Sequence, residues 1–175
     1  LFMHLDGARV FNAATELGVE VREIVDLVDS ASICFSKGLG APIGSLLCGS
    51  DEFIASAKRW RKMAGGGLRQ AGVLAAAIDY ALDHNVDRLK SDHENAKRLA
   101  QALSGLDSIT LISNQTNMVF IELADEDTGA HLAQFLARRG VKTLGGKRMR
   151  LVTHLDISAE DTETVIALFR EYFAL

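Results

Sequence analysis

The sequence is poor in the residues that staple or anchor a chain. It has one proline and two cysteines in 175 residues, and no apolar run approaches the ~20 residues that a membrane-spanning helix needs. Two cysteines are too few for a disulfide framework, and Cys34 and Cys48 lack the spacing of a metal site. They read as buried free thiols, which points to a reducing compartment, the cytoplasm. The formal net charge is −4, so no broad positive field draws the chain to nucleic acid or to an anionic membrane. A signal-peptide pattern, internal repeats and low-complexity stretches are also missing. The chain does not open on methionine. "LFMHLD" starts as though inside a core strand, so a C-terminal portion of something longer is expected, with the remainder completing a sheet.

What is present suits a water-soluble globular chain: 48% of residues are hydrophobic and 24% charged. Residues 1–5 and 31–36 are short apolar runs bounded by polar residues, as buried strands are, and "GSLLCGS" (44–50) is a third strand candidate. "REIVDLVDS" between the first two suits a short helix or a loop. Ser50 caps a helix beginning "DEFIASAKRWRKM", with acids in its first turn and bases near its end, as the helix dipole favours. Three glycines break that helix, and a second resumes after Arg69. Its residues 71–82 carry so little polarity that burial over most of its surface is expected. Residues 86–104 form an amphipathic helix, "SITLI" and "NMVFIEL" two strands, and "DTGAHLAQFLARRG" a helix ending at Gly140. "RMRLVTH" is a further strand, and Ser158 with Asp161 opens a final helix over 159–173. The expected class is α/β: the end of a mainly parallel sheet, a boundary near residue 85, then a small α+β domain.

Four features converge on one chemistry. Asp6, in "HLDGARVFNAA", follows an apolar strand, where it either caps the next turn or meets a cationic ring nitrogen. Lys37, in "SICFSKGLGAPIG", follows the next strand, where it is either a solvated turn residue or an amine for Schiff-base work. In one parallel sheet the two would project from the same edge, and Gly38 and Gly40 would clear room for a planar group. "KRWRKMAGGGLRQAG" joins Lys62 and Arg69 to Gly65–Gly67, either a phosphate site or a solvated face. Arg148 and Arg150 share one face of a strand, either to grip a carboxylate or to stand in water.

With those stretches and "RLVTHLDIS", the chain resembles the C-terminal half of the low-specificity L-threonine aldolases, pyridoxal-phosphate enzymes of the aspartate-aminotransferase fold, fold type I. The resemblance covers essentially the whole chain. It implies that residues 1–85 end the large cofactor-binding domain and that 86–175 are the small C-terminal domain. It implies catalytic roles for Lys37 and Asp6, with Lys37 linked to pyridoxal 5'-phosphate and Asp6 paired with the ring nitrogen. Arg9 is implied beside the cofactor's phenolic oxygen and, with Arg150, on the substrate carboxylate. Arg69 is implied to bind the cofactor and Lys62 the substrate, reaching an active site that is either this chain's own or that of a neighbouring subunit in a homodimer or homotetramer. The implied reaction cleaves threonine-like β-hydroxy amino acids to glycine and an aldehyde, with no metal. A β-eliminating lyase or an aminotransferase on the same fold is the alternative, and a fragment inactive alone is a third. None of His4, His84, His93, His131 and His154 fits the family's ring-stacking or base positions by motif. His4, in the strand with Asp6, is expected to be structural, and His93 and His131 to be surface or packing residues on helices.

Overall fold

The computed structural model describes residues 1–174. They form two compact units, Leu1–Leu89 and the remainder from Lys90 onward.

In the first unit, β1 (His4–Gly7) leads through α1 (Val10–Leu17) and α2 (Val21–Val25) to β2 (Ser30–Cys34), and a loop then leads to β3 (Ser45–Gly49). The sheet order is β1-β2-β3. β1 and β2 are parallel, with Asp6 opposite Ser32, while β2 and β3 are antiparallel, with Cys34 opposite Ser45. A parallel pair needs a crossover, and the two short helices supply it. Alternation decides which face of β2 is covered: Ala31 and Ile33 are buried, and Ser30, Ser32 and Cys34 are half-buried. Phe35, Leu39 and Ala41 join Val10, Ala31 and Ile33 in the core, although they lie beyond the strand.

Two helices follow, α3 (Asp51–Met63) and α4 (Gly72–Asn85). Ser50 caps α3, its side chain accepting from Phe53 N–H at 3.3 Å. α4 departs from expectation, since only Ile78 and Ala81 are buried along it. Its small apolar residues permit close packing on every side, but the first unit covers only one of them. The thiols depart too, with Cys34 half-buried and Cys48 exposed. Every residue of β3 is exposed, because this edge strand has no neighbour beyond it among the described residues.

The second unit follows α5 (Leu89–Leu103) with β4 (Thr110–Gln115), β5 (Met118–Glu122), α6 (Glu126–Ala137), β6 (Arg148–Val152) and α7 (Ala159–Phe173). The antiparallel sheet β4-β5-β6 presents Val119, Ile121 and Met149 to a core completed by Leu103, Leu132 and Phe169. Ser158 and Asp161 form the expected capping box on α7. Gly140, at φ 83, takes the left-handed conformation just past α6 that glycine adopts without penalty.

Candidate active site

The parallel pairing of β1 with β2 brings Asp6 and the residues after Cys34 to the same carboxyl edge of the sheet. In open α/β sheets that edge is where ligands bind. Asp6 is exposed there. One of its carboxylate oxygens accepts the Ala8 N–H at 3.3 Å, so it brackets the turn into α1 and keeps lone pairs for a ligand. Its neighbour Gly7 is buried, and a Cβ there would lie 2.9 Å from the Ser32 carbonyl. Close approach of the two strands therefore demands glycine. Arg9 occupies the N-cap position of α1 and is half-buried.

Lys37 opens a tight turn: the Gly40 N–H donates to its carbonyl at 2.9 Å, and the Ala41 N–H donates to Phe35 at 2.9 Å. The turn thus hangs from two core residues while Lys37 itself stays exposed. Its amine lies 3.8 Å from the Cys34 sulfur. The two glycines have roles other than the expected clearance. Gly38 is buried, and a Cβ there would stand 3.0 Å from both Asn12 and Leu89. Gly40 is exposed at φ 72, a conformation that L side chains rarely adopt. Packing and turn geometry explain both positions.

Three supporting residues escaped the sequence argument. Asn12 is buried in α1 against Gly38, and the Asn85 amide at the end of α4 donates to the Leu39 carbonyl at 2.7 Å. Cys34 stands beside the lysine amine. Only Asn12 left a signal, polarity inside the apolar run "VFNAA".

The glycine-rich stretch forms as a loop after α3. The Gly65 and Gly66 N–H groups donate to Lys62 and Arg61 carbonyls at 3.2 and 2.8 Å. The Lys62 side chain folds across Gly67, where a Cβ would stand 2.6 Å from it. Lys62 and Arg69 are both exposed.

In the second unit the two strand arginines differ. Arg148 donates to Glu122 at 2.6 Å, and Lys147 adds a contact at 3.5 Å. Hydrogen bonding from Arg148 is the main reason that the Glu122 carboxyl is held below its usual range. Arg150 is opposite Phe120 and has no carboxylate partner among the described residues. Of the pair, only Arg150 remains available for a ligand. His4 bonds through Nδ1 to Ser30 Oγ at 2.8 Å across the first two strands, which is a structural role.

A carboxylate and a primary amine on one sheet edge, each without an ion-pair partner among the described residues, fit a ring that carries a cationic nitrogen and an aldehyde. Comparison with known proteins defines the class. A family model for beta-eliminating lyases matches residues 1–126, and the chain belongs to that family. Low-specificity L-threonine aldolase from Escherichia coli K12 is 47% identical over 99% of this chain and 52% of the relative. The Arabidopsis thaliana enzyme of that name is 41% identical over 97% and 49%. The chain spans about half the length of the curated relatives it matches. The Leishmania major threonine aldolase structure superposes with a TM-score of 0.77 at 21% identity, over 98% of this chain and 52% of that one. The Sphingomonas wittichii serine palmitoyltransferase gives 0.71 at 20%, over 97% and 46%. These structures share the fold, that of the fold-type-I pyridoxal-phosphate enzymes. Among the described residues no helix is long and apolar enough to cross a membrane.

Proposed function

We propose that this chain forms part of a pyridoxal-phosphate-dependent aldolase that cleaves threonine-like β-hydroxy amino acids to glycine and an aldehyde. The observation that carries the proposal is the parallel register, which sets Asp6 and the Lys37 turn on one sheet edge. The names of the similar enzymes supply the choice of reaction. When bound, pyridoxal phosphate supplies a conjugated cationic ring that takes up the electron pair left at Cα as the Cα–Cβ bond breaks. The chain's own groups bind and orient. Lys37 holds the cofactor through its aldehyde carbon. Asp6 would pair with the ring nitrogen and keep it protonated, since a nearby carboxylate favours the charged form of a basic nitrogen. Arg9 takes the phenolic oxygen, and Arg9 and Arg150 each take the substrate carboxylate, a grip that fixes the orientation of the scissile bond. Arg69 binds the cofactor and Lys62 the substrate, in this chain's own site or in that of a neighbouring subunit, and the assembly is a homodimer or homotetramer in the cytoplasm. Residues 1–85 act as the end of the cofactor-binding domain, and 86–175 as the small domain.

The family model that matches residues 1–126 is named for β-elimination, so elimination is the competing reaction. The test supplies the complete protein that contains this chain with cofactor and L-threonine and follows acetaldehyde, glycine, α-keto acid and ammonia. Aldehyde and glycine in equal amounts are expected. Keto acid and ammonia without aldehyde would replace the proposal by elimination. Borohydride reduction is expected to fix the cofactor on the peptide containing Lys37, and attachment at another lysine would remove the site assignment.

A further inference from the structure

β6 carries Arg150, whose side chain has no carboxylate partner among the described residues. Where its guanidinium stands therefore depends on how the strand is held. The end before it is tied through Lys147, whose carbonyl accepts from Leu123 N–H at 2.8 Å and whose N–H donates to the Glu126 carboxylate at 3.0 Å. The end after it is tied through Thr153. Thr153 N–H donates to the Asn117 carbonyl at 3.0 Å, and the Asn117 side-chain amide returns a bond to the Thr153 carbonyl at 2.7 Å. Thr153 Oγ1 donates to the Asp92 carbonyl of α5 at 2.6 Å. One turn further along α5, the Asn95 amide donates to the Ile157 carbonyl at 3.0 Å. Asn117 and Thr153 are both buried.

Two features of this polar cluster oppose stability. Gln115 pairs with Met118, so Thr116 and Asn117 make a two-residue hairpin turn. Thr116 stands there at φ 52, a strained conformation for a β-branched residue. Asn117 Oδ1 is buried and has no hydrogen-bond partner among the described residues. A unit selected for stability alone would do better with glycine in the turn and an apolar pair in place of Asn117 and Thr153. What the polar bonds supply, and apolar contact does not, is direction. A slip of β6 by one residue would move Arg150 to the opposite face of the sheet, and the reciprocal bonds between Asn117 and Thr153 oppose that slip.

We infer that Asn117 and Thr153 are positioning residues for Arg150. They fix the end of β6 against the β4–β5 turn and against α5, and so set the place from which the guanidinium reaches the substrate carboxylate. The inference rests on the proposed role of Arg150, and neither residue touches substrate or cofactor in it. A displacement of about 1 Å far from the chemistry is enough to cost up to about a hundredfold in rate.

The test uses the complete protein that contains this chain, loaded with pyridoxal phosphate. It reads KM for threonine, the Kd of glycine by spectral titration, and the melting temperature. Glycine has no Cα–Cβ bond to break, so its Kd reports binding without turnover. Thr153→Val removes the bond to Asp92, and Asn117→Ser removes the amide donor. Each should raise KM and the glycine Kd together by about fivefold or more, with the absorbance of the bound cofactor unchanged. Thr153→Ser should restore both values. Ser158→Ala, which removes a cap from the same unit, should lower the melting temperature and leave KM and Kd unchanged. In an Arg150→Gln background, Thr153→Val and Asn117→Ser should each change the glycine Kd less than about twofold, because coupled residues are not additive. An equal factor in both backgrounds, or a lowered melting temperature with an unchanged Kd, would overturn the inference and leave the role of Arg150 standing. An unchanged KM and Kd in Arg150→Gln alone would remove that role and the inference with it.

Discussion

Asp6 stands directly opposite Ser32 on the parallel neighbour strand, and the chain that leaves that strand turns at Lys37. A carboxylate and an amine far apart in the sequence thereby share one sheet edge. The carboxylate has two separable duties there, because one oxygen accepts the Ala8 N–H. Asp6→Asn keeps an oxygen for that turn and removes the charge. It should fold normally and lose activity by about tenfold to a hundredfold, since a hydrogen bond to a charged group contributes roughly 1.5–3 kcal/mol and each ~1.4 kcal/mol is a factor of ten in rate. Asp6→Ala should lose the same activity and also lower the melting temperature. If Asn retained full turnover, the carboxylate would serve the turn alone.

Arg148 and Arg150 provide a matched pair for testing substrate binding. Arg148 is committed to Glu122, whereas Arg150 has no carboxylate partner among the described residues. Arg150→Lys should raise KM for threonine about tenfold or more, because hydrogen bonds to charged groups contribute roughly 1.5–3 kcal/mol and lysine cannot reproduce the planar fork. Arg148→Lys should leave KM unchanged. Steady-state kinetics on the two variants decides between a carboxylate grip and a solvated strand face.

Acid should weaken the second unit. The carboxyl groups of Asp125, Asp161 and Glu122 all lie below their usual range. Hydrogen bonding to Thr128 is the main cause for the first, to Ser158 for the second and to Arg148 for the third. A folded-state pKa below the unfolded one means stability that is present above the unfolded value and lost as pH falls through the folded value. The melting temperature should therefore be flat near neutrality and fall below about pH 4, the ordinary carboxylate range. Ser158→Ala removes the α7 cap, should cost about 1 kcal/mol at neutral pH, and should reduce the steepness of the acid limb. Thermal melts across pH measure both effects.

Gly129 is the position in α6 where a single methyl group should do the most damage. A Cβ there would overlap the Gly146 carbonyl, which is backbone and cannot rotate away. Gly129→Ala should destabilise the second unit by about 3 kcal/mol, at the upper end of overpacking costs. Gly140→Ala meets no such obstacle, since nothing lies within 4 Å of its Cβ position. It should cost about 1 kcal/mol through its left-handed backbone alone. Chemical denaturation of the two variants separates steric overlap from backbone strain, and equal losses would show that the α6 contact gives way.

By itself the sequence determined the local structure: which runs are strands, where Ser50 and Ser158 start helices, and that Gly140 follows one. Those features follow from side-chain periodicity, capping and backbone freedom, all of which act within a few residues. It also made Asp6 and Lys37 candidates by placing each after an apolar run. Only the tertiary structure decided the rest. Strand direction made the candidates neighbours on one edge and turned β3 antiparallel, because the long-range hydrogen bonds that set register leave no local mark. Packing assigned Gly38 to Asn12 and Leu89, and pairing committed Arg148 to Glu122 while leaving Arg150 available. The exposed flanks of α4 and the exposed Cys48 corrected the expectation that apolar residues and thiols lie inside. Burial depends on what the rest of the fold brings against a surface, and composition carries no record of that.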